Sequence, residues 1–142
     1  MKPIEILLVE DNPGDIILTV DAFKDGRVSN NVSVVKDGEE AIDYLKRRGQ
    51  YVNSVRPDII LLDLNLPKKD GRQVLKEIKA DINLRKIPVV ALTTSDSEED
   101  INHAYENYVN CYIRKPVDLD NFLEVVKKVE DFWLTIVKLP ST

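Results

Sequence analysis

Cysteine and histidine are nearly absent from this chain, which has one of each among its 142 residues. A single cysteine cannot form an internal disulfide, and neither a cysteine-based zinc site nor a histidine cluster is available. No stretch approaches the ~18 consecutive apolar residues of a membrane-spanning helix, and the first residues lack the long apolar segment of a secretory signal. We therefore expect a cytoplasmic protein with no membrane partner.

Positive charge is in the minority as well. Lysine and arginine number 20 against 25 aspartates and glutamates, which gives a formal net charge of −5. This balance argues against nucleic acid as the main partner. With 43% hydrophobic and 32% charged residues, the composition is typical of a folded soluble protein. The length corresponds to a single domain, which we place at residues 1–142.

Short apolar runs alternate with segments of helical periodicity. Three runs are strongly apolar and two are weaker; they cover residues 4–9, 58–64 and 88–93, then 32–35 and 111–113. Continuous apolar runs are typical of strands that are covered on both faces. Five strands in strict alternation with five helices predict repeated right-handed βαβ units. The expected fold is therefore α/β, a doubly wound five-stranded parallel sheet with helices on both faces.

Polar and charged side chains lie at the ends of four of these strands. Ligand sites of doubly wound sheets lie beyond the carboxyl ends of the strands, so such residues should meet at one edge. The residues in question are Glu10, Asp11, Asp63, Asn65, Thr93 and Lys115. They would bring three carboxylates, a hydroxyl and an ammonium group together.

Three neighbouring carboxylates repel one another, at a cost of roughly 4 kcal/mol per pair at 4 Å and an effective dielectric constant near 20. Lys115 supplies one positive charge, which is not enough to offset this repulsion. A divalent cation is the simplest solution, and an all-oxygen set of ligands selects Mg²⁺, or Mn²⁺, over zinc. A carboxylate nucleophile, a metal, a lysine and a hydroxyl together indicate phosphoryl transfer to an aspartate.

Four motifs make the pattern more specific: residues 9–12, 63–71, 93–94 and 115–116. Together they resemble the receiver domain of two-component response regulators, and the resemblance extends from about residue 4 to residue 129. It implies a flavodoxin-like fold with strand order 2-1-3-4-5. It also implies a signalling protein rather than an enzyme, since a receiver catalyses only its own aspartyl phosphorylation and dephosphorylation.

The resemblance assigns roles to the acidic edge. Asp63 would be the phosphoacceptor and, with Asp11, a direct Mg²⁺ ligand, whereas Glu10 would bind the metal through water. The backbone carbonyl of Asn65 would complete the protein ligands. Thr93 and Lys115 would hold the phosphoryl group.

The resemblance also assigns a switch. Thr93 would move on phosphorylation, and Tyr112 matches the aromatic residue that turns inward on activation. The chain is longer than the family pattern between the second and third strands, at residues 48–55. We expect this insertion to lie away from the acidic edge.

The amino-acid sequence of residues 10–15 and 64–71 is similar to that of stand-alone regulators that partner phytochrome kinases of cyanobacteria and other bacteria. This similarity implies a sensor histidine kinase of the phytochrome type as the partner. Because the chain ends at Thr142, we expect no output domain.

Two other classes of function remain as alternatives. A phosphatase or phosphomutase of the haloacid dehalogenase type also places an aspartate after a parallel strand. Such enzymes usually need a second aspartate two residues later, where this chain has Asn65. A flavodoxin-like cofactor binder needs a Ser/Thr/Gly-rich phosphate loop after the first strand, where Glu10 and Asp11 would repel a flavin phosphate.

Apolar residues continue past the expected end of the last helix, in an extension from about residue 130. They include Phe132, Trp133, Ile136 and Val137. Aromatic and aliphatic residues clustered in this way are typical of a contact surface, so we predict a homodimer. The alternative is that the extension folds back and completes the core of a monomer.

Overall fold

The computed structural model describes residues 3–24, 29–93 and 111–114. Within these ranges, no helix combines the length and the hydropathy that crossing a bilayer would require. The helices predicted after residue 97 and from residue 119 lie outside the described residues, as do residues 132–137.

The strands of the described residues form one parallel sheet. Its order is β2-β1-β3-β4-β5. The strands are β1 (Ile4–Val9), β2 (Asn30–Val35), β3 (Ile59–Asp63), β4 (Val89–Thr93) and β5 (Cys111–Arg114). This is a parallel α/β arrangement, as the alternation of apolar runs and helical segments predicts, and its strand order is the flavodoxin-like one that the resemblance implies.

The central strands are apolar on both faces because both faces are covered. All five residues of β3 are buried. Side chains that alternate along β1, β3 and β4 belong to two separate apolar clusters. One cluster, which includes Leu7, Leu62 and Ala91, packs against Ile42 and Leu75. The other, on the opposite face, packs against Phe23. Burial of each large apolar side chain contributes roughly 1.5–3 kcal/mol to folding.

Each helix begins shortly after a strand ends. They are α1 (Pro13–Lys24), α2 (Gly38–Lys46) and α3 (Gly71–Ala80). Polar side chains stabilise the three helix starts. The Asn12 Oδ1 accepts from the Asp15 N–H at 3.0 Å, the Asp37 Oδ1 from the Glu40 N–H at 2.8 Å, and the Asp70 Oδ1 from the Arg72 N–H at 2.7 Å. Because each helix follows a parallel strand, all three N-termini lie at the carboxyl edge of the sheet.

The insertion at residues 48–55 contains one 3₁₀ turn, Gly49–Tyr51. Its contacts with α2 include two made by the Tyr51 side chain. The Tyr51 ring lies 5.2 Å from the Tyr44 ring between centroids, and the Tyr51 hydroxyl donates to the Glu40 Oε1 at 2.8 Å. Glu40 belongs to the first turn of α2. One side chain of the insertion therefore contacts the helix turn that starts at the carboxyl edge of the sheet.

Candidate functional site

Glu10 and Asp11 follow β1 but lie in different environments. Glu10 is 1% exposed, whereas Asp11 is exposed to solvent. The Glu10 N–H donates to the Val35 carbonyl at 3.0 Å, which extends the pairing of β1 with β2 by one residue. The Glu10 Oε1 accepts the Asn12 N–H at 3.1 Å. The sheet and the following turn thus hold the buried carboxylate in place.

Asp63 ends β3 and is 4% exposed. Its Oδ1 accepts the Asn65 N–H at 2.9 Å. The start of α3 packs directly against it, because a Cβ on Gly71 would overlap the Asp63 carbonyl oxygen and lie 2.5 Å from the Leu64 Cα. Only glycine at position 71 allows this approach, so Gly71 helps to place Asp63.

Glu10, Asp11 and Asp63 each offer a carboxylate oxygen, and these oxygens all lie within 4.8 Å of one another. The predicted convergence of the three acids on one edge is therefore confirmed. Three like charges at this spacing repel by roughly 3–4 kcal/mol per pair at an effective dielectric constant near 20. The arrangement is suited to a hard divalent cation, which prefers oxygen ligands and offsets the repulsion.

The helix termini add positive potential at the same edge. The α1 helix begins at Pro13 and α3 begins at Gly71, both within eight residues of an acid of the cluster. The N-terminus of a helix carries roughly +0.5 of an elementary charge. These partial charges stabilise anions at the edge, whether carboxylates or a phosphoryl group.

Of the other residues predicted for the acidic edge and its switch, the structure describes three and leaves one outside the described ranges. Asn65 is exposed and lies beside Asp63 through the hydrogen bond from its N–H. Thr93 is the last residue of β4, and its backbone pairs with Arg114 of β5. Tyr112 pairs with Ala91 in the same register. Lys115 lies outside the described residues.

Two features of the site were missed by the sequence analysis as functional elements. One is the packing of Gly71 against Asp63. The other is the ion pair between the Lys68 Nζ and the Asp37 Oδ2, at 3.6 Å. Asp-Gly at positions 37–38 and 70–71 marks a helix start in each case, but this dipeptide does not indicate either contact.

Comparison with known proteins agrees with this geometry. The model of the response regulator receiver domain family matches residues 6–127. The chain belongs to this family. Receiver domains are signalling modules, so the family agrees with the prediction of a signalling protein.

Individual relatives are similar over nearly their whole length. The receiver chain is 47% identical to response regulator Rcp1 of Synechocystis sp. over 139 residues, which cover 98% of this chain and 95% of Rcp1. The crystal structure of the Mn²⁺-bound form of Rcp1 matches with a TM-score of 0.86, covering 93% of this chain and 95% of that chain.

A second solved structure is that of the phosphorylated cyanobacterial phytochrome response regulator RcpA. It is 52% identical and matches with a TM-score of 0.87, covering 95% of this chain and 96% of that chain. This receiver is therefore homologous to phytochrome-associated response regulators.

Proposed function

We propose that this chain is a stand-alone response regulator that accepts a phosphoryl group on Asp63 from a sensor histidine kinase, in a Mg²⁺-dependent reaction. The observation that carries the proposal is the cluster of Glu10, Asp11 and Asp63, with carboxylate oxygens within 4.8 Å of one another at the carboxyl edge of the sheet. Membership of the receiver family supports the same function.

The metal site fits the residues present. Asp11, Asp63 and the backbone carbonyl of Asn65 would bind Mg²⁺ directly, and Glu10 would bind it through water. Mn²⁺ would fit the same all-oxygen set. The bound ion supplies charge neutralisation for the incoming phosphoryl oxygens. Binding of Mn²⁺ by the homologous Rcp1 supports this assignment.

Asp63 would act as the nucleophile. A carboxylate oxygen attacks phosphorus, the bond from phosphorus to the imidazole nitrogen of the kinase breaks, and an acyl phosphate forms on Asp63. The released imidazole takes up a proton. Thr93 would donate to a phosphoryl oxygen through its hydroxyl, and Lys115 would supply a positive charge to the same group. Phosphorylation of the homologous RcpA supports the step.

The direct test is phosphorylation by acetyl phosphate. Wild type with Mg²⁺ should gain the mass of one phosphoryl group, labile in alkali, and the Asp63→Asn variant should gain none. Asp43→Asn, a half-buried acid on α2, is a matched control and should behave as wild type. Phosphate that maps to His103 or to a serine contradicts the mechanism, as does sustained hydrolysis of p-nitrophenyl phosphate, which would indicate a phosphatase.

The phosphoryl group would also operate a switch. It adds roughly −1.5 to −2 charges at Asp63. We expect Thr93 to move toward it and Tyr112 to turn into the space that Thr93 leaves, so that phosphate contacts bias a two-state element. Thr93→Ala should still be phosphorylated by acetyl phosphate but should lose the phosphorylation-dependent change in partner affinity, measured by calorimetry. Unchanged coupling in this variant contradicts the switch.

The kinase partner is proposed to be of the phytochrome type, on the strength of the similarity to RcpA and Rcp1. Phosphotransfer from purified histidine kinases, compared by initial rate, tests the partner. Equal rates from phytochrome-type and unrelated kinases would contradict a phytochrome-type partner.

We further propose a single cytoplasmic domain of five strands and five helices, with a C-terminal helical extension from about residue 130. This domain forms a homodimer and binds neither nucleic acid nor membranes.

A further inference from the structure

The first residue of α2 touches the loop that follows the phosphoacceptor strand. This β3–α3 loop comprises residues 64–70. A Cβ on the buried Gly38 would overlap the Lys69 carbonyl oxygen and lie 2.7 Å from both the Lys69 carbonyl carbon and its Cβ. No side chain fits there unless the backbone at Lys69 moves. Gly38 therefore defines how closely α2 approaches the loop.

The neighbouring residue of the loop has an unusual backbone conformation. Lys68 has a φ of 62°, in the left-handed region that residues other than glycine seldom adopt. Its ammonium group pairs with the Asp37 Oδ2 at 3.6 Å. The Asp37 Oδ1 meanwhile caps α2 by accepting the Glu40 N–H at 2.8 Å. Asp37 and Gly38 thus hold two consecutive residues of the loop.

The other end of the loop cannot absorb a displacement. The Gly71 N–H donates to the Leu64 carbonyl at 3.2 Å, which closes the loop on itself. Gly71 is also packed against the Asp63 backbone. A shift of the Lys69 carbonyl would therefore pass to residues 65–68, which include the carbonyl of Asn65 that we assign to the metal.

We propose that Gly38 is a positioning residue for the metal site: by allowing α2 to pack on Lys69, it keeps the β3–α3 loop in the conformation that presents the Asn65 carbonyl. The inference rests on the metal site proposed above. Under this proposal, a residue of α2 that does not contact the ion contributes to the affinity of the site for the metal.

Gly38→Ala tests the proposal through metal binding itself. Free Mn²⁺ is measured by electron paramagnetic resonance during titration of the full chain. The expected result is a weakening of Mn²⁺ binding by about tenfold, the usual scale for loss of a contact that orients a ligand. The acetyl phosphate reaction should need more Mg²⁺ for half-maximal rate but reach the wild-type rate at saturation.

Gly49→Ala is the matched control. Gly49 has a φ of 57°, so alanine strains its backbone, yet nothing lies within 4 Å of the added Cβ. This variant should lose stability but bind Mn²⁺ like wild type. If Gly38→Ala binds Mn²⁺ like Gly49→Ala, the inference is wrong although the metal site stands. If wild type itself binds no Mn²⁺, it is the proposed function that fails.

Lys68→Gln keeps the test decisive if Gly38→Ala does not fold. Removing a cation near an acidic site should tighten Mn²⁺ binding if only charge matters. The proposal predicts the opposite, a weaker binding, because the loop loses its ion pair with Asp37. Tighter or unchanged binding in Lys68→Gln overturns the inference.

Discussion

The carboxylates of Glu10 and Asp63 are each held by a local hydrogen-bonded turn. In each case the carboxylate accepts the N–H of the residue two positions later, at 3.1 Å from Asn12 and at 2.9 Å from Asn65. Such turns fix a carboxylate relative to its own backbone without help from distant residues. Two strand ends therefore present buried carboxylates in defined positions. Asp11, by contrast, is exposed to solvent.

Asp11→Asn should have opposite effects with and without metal. Without Mg²⁺, removal of one of three like charges should raise the free energy of unfolding by about 0.5–1 kcal/mol, reduced by solvent screening because Asp11 is exposed. One kcal/mol corresponds to a melting temperature shift of about 3 °C for a domain of this size. With Mg²⁺ the order should reverse, because wild type binds the ion more tightly and is stabilised by mass action.

Thermal unfolding of both proteins across a Mg²⁺ series checks this. Asp15→Asn is a suitable control, since Asp15 lies on α1 outside the acidic cluster. Parallel responses of wild type and Asp11→Asn to Mg²⁺ would remove Asp11 from the metal site.

Strand positions were predictable because a strand that is buried on both faces must be apolar throughout. The predicted run 4–9 coincides with β1, and the run 58–64 contains β3 with one residue to spare at each end. Asp58 lies just before the strand: its carboxylate accepts the Glu5 N–H at 2.9 Å, and its own N–H donates to the Glu5 carbonyl at 2.7 Å. The prediction for β2 was short by two residues, at the half-buried edge of the sheet where the apolar pattern is weaker.

Contacts between elements were not predictable in this way. The approach of Gly38 to Lys69 depends on the relative position of α2 and the β3–α3 loop, which no periodicity encodes. The near-complete burial of Glu10, compared with the exposure of Asp11, likewise depends on what covers the end of β1. Which acids meet at this edge was thus predictable from the sequence, but the way neighbouring helices support them was not.

Tyr51→Phe tests how the insertion is attached to α2. Burial, and then the hydrogen bond to Glu40, raise the pKa of Tyr51 from 10.0 to about 12. The unfolded chain releases this proton near pH 10, so the contribution to stability is complete below pH 10 and is lost as the pH rises toward about 12. At neutral pH, loss of the hydroxyl should lower the free energy of unfolding by about 1 kcal/mol.

Two measurements check this prediction. Urea unfolding at pH 7 gives the stability difference, and the ultraviolet absorbance of tyrosinate during alkaline titration should lose a transition near pH 12 in the variant. Tyr44→Phe is the matched control, because it also keeps the ring and removes a hydroxyl but leaves the contact between Tyr51 and Glu40 in place. If the transition lost in Tyr51→Phe lies near pH 10 rather than near pH 12, the hydrogen bond is absent in solution.

The residues that pack the core and the acids of the candidate site lie in different parts of the molecule. Two apolar clusters on opposite faces fix the central strands, and the acids lie where these strands end. A rigid sheet of this kind positions loops that are free to respond to a ligand. Under the proposed function, a signal that arises at the acidic edge reaches a partner through surface elements. One candidate in the sequence is the apolar segment from about residue 130.

Dimerisation through the C-terminal residues is the prediction for the whole molecule. Phe132, Trp133, Ile136 and Val137 follow the expected end of the last helix, and burial of each large apolar side chain contributes roughly 1.5–3 kcal/mol to association. Trp133→Ala should therefore weaken a dimer by at least tenfold in sedimentation equilibrium, with and without acetyl phosphate. Val52→Ala, an exposed apolar residue of the insertion, is the control and should leave association unchanged. A wild type that remains monomeric at high micromolar concentration in both states would instead favour an extension that completes the monomer core.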